Sequence, residues 1–404
     1  MQIFRSMSIV SLLLFAGCDS ETNTSDRSLT ESGLHSVPAN FDDGHIVSKS
    51  GYADMAYLIE YRGSLFATLT TGNEEEGSES QHVKLYESKD NGENWTIKSI
   101  IESPDGPEAS WAMPFLAGDD LGVIYTYNTQ NIRGWPMSNG KSRGRVDSLG
   151  DFAFRFSSDF GQSWSDREVL DVPISDIDYR NGFEGKETVF WLSGMPIQNS
   201  GKTILGLSKA GVSHPKNIFP DTEAFILSSS NPADVTSWEL LPKGTGLTAP
   251  DGSKVSEEPS VAFLPNGSLY AVYRTNSGKL AKAISSDNGR TWDSDWVKLF
   301  GVVAARHPRA KAVVKQVREN QFVLWFHNNN TRGFRDRNPV WMSCGTARGG
   351  DILWGDPDII LYHPSTEMRM SYPSMVVQDD TLLISATNKS EARVFKFQLD
   401  DICD

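Results

Sequence analysis

Ser88-Lys89-Asp90-Asn91-Gly92-Glu93-Asn94-Trp95, Ser157-Ser158-Asp159-Phe160-Gly161-Gln162-Ser163-Trp164 and Ser285-Ser286-Asp287-Asn288-Gly289-Arg290-Thr291-Trp292 are three copies of one pattern, Ser-x-Asp-x-Gly-x-x-Trp. Each residue type has a physical task in a tight turn. The glycine supplies a positive φ, the serine and aspartate bond turn amides, and the tryptophan packs between hairpin layers. The aspartates are therefore read as structural and not as catalytic. The first two copies begin 157 − 88 = 69 residues apart and the last two 285 − 157 = 128, close to twice that. A worn copy fills the gap, Ser228-Ser229-Ser230-Asn231 with Ser237-Trp238, and a second follows as Ser343, Gly349-Gly350 and Trp354. Periods above about 50 residues with strand-like content indicate propeller blades, not a helical solenoid.

Strand-like runs support this. Ser64–Thr70, Leu121–Tyr127, Thr203–Ser208, Ser268–Arg274, Gln321–His327 and Thr381–Thr387 each follow a turn signal. Each has a partner run before it: Met55–Tyr61, Trp111–Leu116, Thr188–Ile197, Pro259–Leu264, Ala310–Val317 and Tyr372–Val377. Period-2 alternation is visible in several, and long amphipathic helical patterns are absent. The expectation is an all-β chain, a six-bladed β-propeller of about four strands per unit, with Asp43–Ser48 supplying the strand that closes the last unit.

The 404 residues carry 38 Lys and Arg against 52 Asp and Glu, a net charge of −14. An acidic chain without a basic cluster argues against nucleic-acid binding, which needs phosphate neutralisation. Three cysteines cannot make a disulfide framework, and no zinc-type spacing occurs. Cys344 and Cys403 are equally readable as a pair or as two unrelated thiols.

The N-terminus has Arg5, then the apolar run Ile9–Ala16, then Ala16-Gly17-Cys18. This is too short to span a bilayer and reads as a signal peptide, residues 1–17. Small residues before Cys18 resemble the bacterial lipobox, which implies lipidation of Cys18. Residues 18–42, rich in Ser, Thr, Asp and Asn, read as a tether, and 43–404 as the propeller. The expectation is an exported lipoprotein, periplasmic or on the cell surface, held to the membrane through its lipid alone. No cofactor or metal is expected, and a monomer is.

Hairpins of this kind in a six-unit chain resemble the Asp-box, or BNR-repeat, hairpins of the sialidase (neuraminidase) superfamily, from about Asp43 to the C-terminus. Such boxes also occur in lectins, polysaccharide lyases and non-catalytic receptors, so the site is read separately. Propeller ligands sit on the axis, where first strands begin and second strands end. Unit four offers Glu257-Glu258-Pro259-Ser260 and Arg274 there. Unit five offers Arg306-His307-Pro308-Arg309, then His327-Asn328-Asn329, and unit six Ser371-Tyr372-Pro373. The resemblance implies that Tyr372 is a nucleophile, Glu258 its base, and Arg274 and Arg309 a clamp for a sugar carboxylate. Tyrosine is a weak nucleophile at its free pKa of about 10, so it needs an adjacent base. Guanidinium matches a carboxylate bidentately.

The chain also departs from the family pattern. The family's Arg-Ile-Pro is replaced by Gly51-Tyr52-Ala53-Asp54-Met55-Ala56, so the first clamp arginine is missing. The family's acid/base Asp is not evident in the loop Gly72–Gln81, where Glu74, Glu75, Glu76 and Glu79 cluster. His82, or a carboxylate of that loop, is taken as the acid. Trp111 and Trp191 are candidate sugar platforms. Arg145, Lys186, His327 and Asn328 complete the expected substrate contacts, with Glu108 and Asp147 nearby in sequence. The leading expectation is an exo-acting glycosidase removing a terminal acidic sugar. The alternatives are a lyase acting on uronate-containing polysaccharide and a carbohydrate-binding propeller without catalysis.

Overall fold

The computed structural model describes residues 37–403 except 218. The signal segment, Cys18 and the tether up to residue 36 lie outside the described residues. The tether assignment runs slightly too far. Ala39–Asn40 already pairs in parallel with Leu361–Tyr362, and Phe41 is fully buried.

The chain is all-β, and the three turns are built as their residues dictate. In the first, Ser88 Oγ donates to Asp90 Oδ1 at 2.8 Å and accepts from Gly92 N at 2.8 Å. Asp90 Oδ1 accepts from Asn94 N at 2.9 Å, and Trp95 Nε1 donates to Gly92 O at 3.0 Å. The turn at Ser285 repeats these bonds within 0.1 Å. At Ser157 the same serine and aspartate bonds recur, but Trp164 donates instead to Ser99 Oγ of the preceding unit. Glycine is required because φ is +86°, +74° and +87° at Gly92, Gly161 and Gly289. The worn copy keeps one bond of this type, from Asn231 N to Ser229 Oγ.

Among the described residues the strands form six antiparallel meanders. Unit one is His45–Tyr61, Ser64–Gly72, His82–Ser88 and Thr96–Ile100. Unit two is Ala109–Ala117, Asp120–Tyr127, Asp151–Ser157 and Glu168–Leu170. Unit three is Phe190–Leu192, Lys202–Ala210, Thr222–Ser229 and Glu239–Leu241, with Ile197–Asn199 resuming its interrupted first strand. Unit four is Ser256–Phe263, Leu269–Thr275, Ala281–Ser285 and Asp293–Trp296. Unit five is Val313–Gln316, Gln321–Phe326, Val340–Arg348 and Asp351–Tyr362. Unit six is Ser371–Gln378, Thr381–Thr387 and Lys389–Gln398, and its fourth strand comes from the other end of the chain. His45–Lys49, the outer part of the long first strand, pairs with Glu391–Val394 and so joins units six and one in one sheet.

Neighbouring units touch in a cycle through their inner strands: one with two, two with three, and on to six with one. Between unit three and unit four the backbones come close together. A Cβ on Gly206 would lie 2.1 Å from Pro259 O, so that seam needs glycine. Ser374 Oγ accepts from Leu58 N at 2.8 Å across the seam between units six and one. The short helix Asp400–Cys403 is tied to unit five by a Cys344–Cys403 disulfide, which settles the pairing the sequence left open.

Candidate active site

Four first strands share a local defect near their starts. The ladder skips between Asp54 and Tyr57, Ser110 and Met113, Glu257 and Ser260, and Ser371 and Ser374. At each skip one non-glycine residue is left-handed: Met55 (φ 54°), Trp111 (59°), Glu258 (53°) and Tyr372 (50°). Such bulges re-aim a side chain and cost of order 1–3 kcal/mol of backbone strain each. Neighbouring hydroxyls help hold two of them. Glu258 N donates to Ser208 Oγ at 2.7 Å, and Trp111 N to Thr70 Oγ1 at 2.9 Å, in each case on the second strand of the preceding unit. All four bulge residues line one cavity of about 520 Å³.

Within it, Tyr372 Oη donates to Glu258 Oε1 at 3.0 Å, and Trp191 Nε1 donates to the same oxygen at 3.2 Å. Glu258 Oε2 lies 2.8 Å from Arg274 Nη1, an ion pair without a hydrogen-bonding angle, so both atoms keep free capacity. Burial, then the Glu258 charge, push the Tyr372 phenol well above its ordinary value. Behind this pair Glu257 bridges Arg274 (Nε to Oε2, 2.6 Å) and Arg309 (Nε to Oε2, 3.0 Å). Burial opposes ionisation of Glu257, but the two arginines outweigh it and bring the carboxyl down to about 2.

Arg337 also lines the cavity and is 4 % exposed. Its Nη1 donates to Ser371 Oγ at 2.5 Å and its Nη2 to Arg309 O at 3.2 Å, while Nε has no partner. No described carboxylate lies within 4.0 Å of it. A buried guanidinium held by neutral oxygens alone is a ready partner for an anionic ligand.

The remainder of the cavity is built from loops. Arg145 forks onto Asp147 (Nε to Oδ1, 2.6 Å; Nη2 to Oδ2, 2.9 Å) and reaches Glu76 Oε1 at 2.9 Å. Lys389 closes on the other oxygen of Glu76. Burial works against the Glu76 charge, yet Arg145 and Lys389 hold its carboxyl well below the usual range. Asp54, next to the Met55 bulge, accepts from Met55 N at 2.9 Å and from Thr387 Oγ1; burial pushes it up to about 6. Glu108, bonded to Ser110, is raised well above its ordinary value by burial and then by Asp147. Trp111, Trp191, Phe219, Phe334 and Met55 supply apolar surface. Among the described residues no group of three or more His, Cys, Asp or Glu is placed to hold a metal ion.

The cavity thus collects Tyr372, Glu258, Arg274, Trp111, Trp191 and Arg145 of the residues expected from sequence, with Glu76 from the acidic loop. Arg309 is displaced from it. It is 3 % exposed, spends its guanidinium on Glu257 and Phe219 O, and leaves the pocket to Arg337. His82 does not reach it either. Its ring nitrogens are taken up by Thr71 Oγ1 (3.2 Å) and Ser80 O (3.1 Å), and burial lowers its pKa. His327 is buried against Pro339 O and stacks on His307 at 5.8 Å, outside the lining; burial, then His307, drive it well below its ordinary pKa. Asn328 is half-buried outside the cavity and Lys186 is exposed on a loop. Arg337, Lys389 and Asp54 were not picked out. A signal for Arg337 was present, in the Arg337-Asn338-Pro339-Val340-Trp341 run before unit five's third strand.

An all-β chain of cyclically neighbouring meanders, with a tyrosine–glutamate pair beside unpaired guanidinium, defines a protein of sialidase-like fold. The chain belongs to the BNR repeat-like family, whose model matches residues 63–384. Over 200 residues, 49% of the chain, it is 25% identical to the anhydrosialidase of Macrobdella decora, and it spans about a quarter (24%) of that relative's length. Similar solved structures include a protein of unknown function from Dyadobacter fermentans (14% identity, 88% of this chain and 97% of that one, TM-score 0.60). The NanB sialidase of Streptococcus pneumoniae is another (11%, 89% and 71%, 0.61). The intramolecular trans-sialidase of Ruminococcus gnavus is a third (14%, 89% and 97%, 0.59). At these identities the likeness is one of fold.

Proposed function

We propose that the chain is an exo-acting glycosidase of sialidase type, built as a six-bladed propeller, that removes a terminal acidic sugar from a glycan. The observation that carries this is the 3.0 Å contact from Tyr372 Oη to Glu258 Oε1 beside the uncompensated guanidinium of Arg337. Tyr372 Oη attacks the anomeric carbon while its proton passes to Glu258 Oε1. The raised phenol requires bond formation and proton transfer to run together. Arg337 and the free edge of Arg274 receive the sugar's carboxylate. The glycosidic C–O bond breaks, and the leaving oxygen takes a proton from the acidic cluster around Glu76. Water then cleaves the tyrosyl–sugar bond: its hydroxyl joins the anomeric carbon, its proton returns to the cluster around Glu76, and Glu258 gives the phenol proton back to Tyr372, a tyrosine variant of the retaining mechanism.

One observation favours the lyase as a second reading. Glu76 is held ionised by two cations, a poor state for a general acid. In that reading Tyr372 Oη passes its proton to Glu258 and takes the proton next to a uronate carboxylate, the glycosidic C–O bond on the neighbouring carbon breaks, the leaving oxygen departs with a proton returned from Tyr372, and the product carries a C=C bond with its ultraviolet absorbance.

The test is incubation with sialosides, uronate-capped oligosaccharides and uronate polymers. Release of an acidic monosaccharide, abolished by Tyr372→Phe, is expected. Unsaturated product selects the lyase. Binding without turnover, unaffected by Tyr372→Phe, overturns both. Export and anchoring through Cys18 are part of the proposal; they predict lipid labelling of the full chain that Cys18→Ser abolishes.

A further inference from the structure

Arg309 lies outside the cavity, yet each of its contacts is with a residue that lines the cavity or with the chain neighbour of one. It stands just before unit five's inner strand and is buried. Its guanidinium forks onto Glu257, with Nε donating to Oε2 at 3.0 Å and Nη2 to Oε1. Glu257 precedes Glu258, the residue on unit four's bulge. The same Nη2 donates to Phe219 O at 2.5 Å, in the connection between unit three's second and third strands. Arg309 Cζ lies 4.5 Å from the centre of the Phe334 ring, in the corresponding connection of unit five. The main chain continues the pattern. Arg309 N donates to Gly333 O at 3.0 Å, and Arg309 O accepts from Arg337 Nη2 at 3.2 Å. Glu258, Phe219, Phe334 and Arg337 all line the cavity. Phe219 packs in turn on Trp191, ring centres 4.8 Å apart, and Trp191 Nε1 reaches Glu258. Charge balance alone does not explain these contacts. Glu257 and Glu258 face Arg274 and Arg309, two charges against two, and a lysine would keep that balance. A compact ammonium cannot reproduce the fork on Glu257 while also meeting Phe219 O and the Phe334 ring.

We propose that Arg309 is a positioning residue, the joint that fixes Phe219, Phe334 and Arg337 against the Glu257–Glu258 segment and so sets where the carboxylate receiver stands relative to the reacting pair. The kinetic consequence rests on the glycosidase reading; the joint itself does not. No bond is made or broken at Arg309. When the joint is loosened, the Tyr372–Glu258 pair keeps its own contact and the substrate is held less well. Binding lost equally from bound substrate and transition state raises KM and leaves kcat nearly as it was.

The variant that tests this is Arg309→Lys, which keeps a cation opposite Glu257, so folding is expected to survive. Should it not, Arg309→Met combined with Glu257→Gln removes one charge of each sign and repeats the test. The joint is read without substrate, by fluorine NMR of full-length protein labelled with fluorophenylalanine. The Phe219 and Phe334 signals are assigned by their loss in Phe219→Leu and Phe334→Leu. Both signals are expected to shift or broaden in Arg309→Lys, and signals left at their wild-type positions overturn the proposal. In active enzyme, Arg309→Lys is expected to raise KM by about ten- to a hundredfold and to change kcat by less than about threefold, with melting temperature little changed. A lowered melting temperature with KM unmoved gives Arg309 a purely structural part and overturns the positioning role. Moved fluorine signals in a protein that turns over no glycan support the joint and overturn the glycosidase reading instead.

Discussion

Two sets of residues meet in the cavity, and they are held differently. Met55, Trp111, Glu258 and Tyr372 stand on first-strand bulges, their backbones locked between ladders on either side. Glu76, Arg145 and Arg337 come from connections between the second and third strands of units one, two and five, and Lys389 from the start of unit six's third strand. The first set is placed by backbone geometry. Glu76, Arg145 and Lys389 are placed by their mutual ion pairs, so removing one frees the others. Reaction geometry belongs to the rigid set, and charge recognition and proton supply to the loops.

The strongest break in this comparison is expected on the bulges. Tyr372→Phe and Glu258→Gln should each lower kcat/KM by about 10²–10⁴-fold with melting temperature little changed. Losses under about tenfold would mean that the bulge pair is not the reacting pair. Next comes Glu76→Gln. On a substrate with an alcohol leaving group, turnover should fall by about 10²–10⁴-fold. On an aryl glycoside, whose phenol leaves without help, it should hardly change. Equal losses on both substrates would remove Glu76 from proton supply and give it a purely structural part in holding Arg145 and Lys389.

The same division explains what the sequence disclosed. The turns and inner strands were legible because glycine, tryptophan and period-2 alternation act locally. Tyr372 and Glu258 were placed at strand starts in the same way, and their parts in the site followed from the family resemblance. Arg309 and Arg337 were exchanged for a nonlocal reason. Both precede unit five's strands, and what separates them is Glu257, in another unit, which claims Arg309. His82 sits at a strand rim by sequence, but the ring's orientation was decided by Thr71 and Ser80. The Glu76 pairs join segments 69 and 313 residues apart, beyond any periodic signal.

Asp54, next to the Met55 bulge, gives a test through stability. Its carboxyl is raised by burial from 3.8 to about 6. Between those values the unfolded chain has released the proton while the native protein holds it, so native stability falls as pH rises through that window. The shift amounts to about 3 kcal/mol. Asp54→Asn, whose amide oxygen can still accept from Thr387 and Met55, should lose this slope. Denaturant titrations of both proteins at pH values on either side of the window measure it. Parallel pH profiles would show that Asp54 is solvated or paired in solution.

Arg337 gives the smallest expected effect and the sharpest contrast with Arg274. Both guanidinium groups line the cavity, but Arg274 is pinned by Glu257 and Glu258, whereas Arg337 is held by a serine hydroxyl and a main-chain carbonyl. Removing Arg274 strands two buried carboxylates and should damage folding along with function. Removing Arg337 strands no charge, so Arg337→Met should fold with an undiminished melting temperature. Its loss should appear in ligand affinity, as a charged hydrogen bond worth about 1.5–3 kcal/mol, roughly 10- to 150-fold. Arg337→Lys should recover little, because a point charge cannot reproduce the fork. Calorimetry with an acidic monosaccharide and its methyl ester separates charge from shape. The acid should discriminate between wild type and Arg337→Met, and the ester should not. If the ester discriminates as strongly, Arg337 shapes the cavity wall through Ser371 and the carboxylate is received elsewhere.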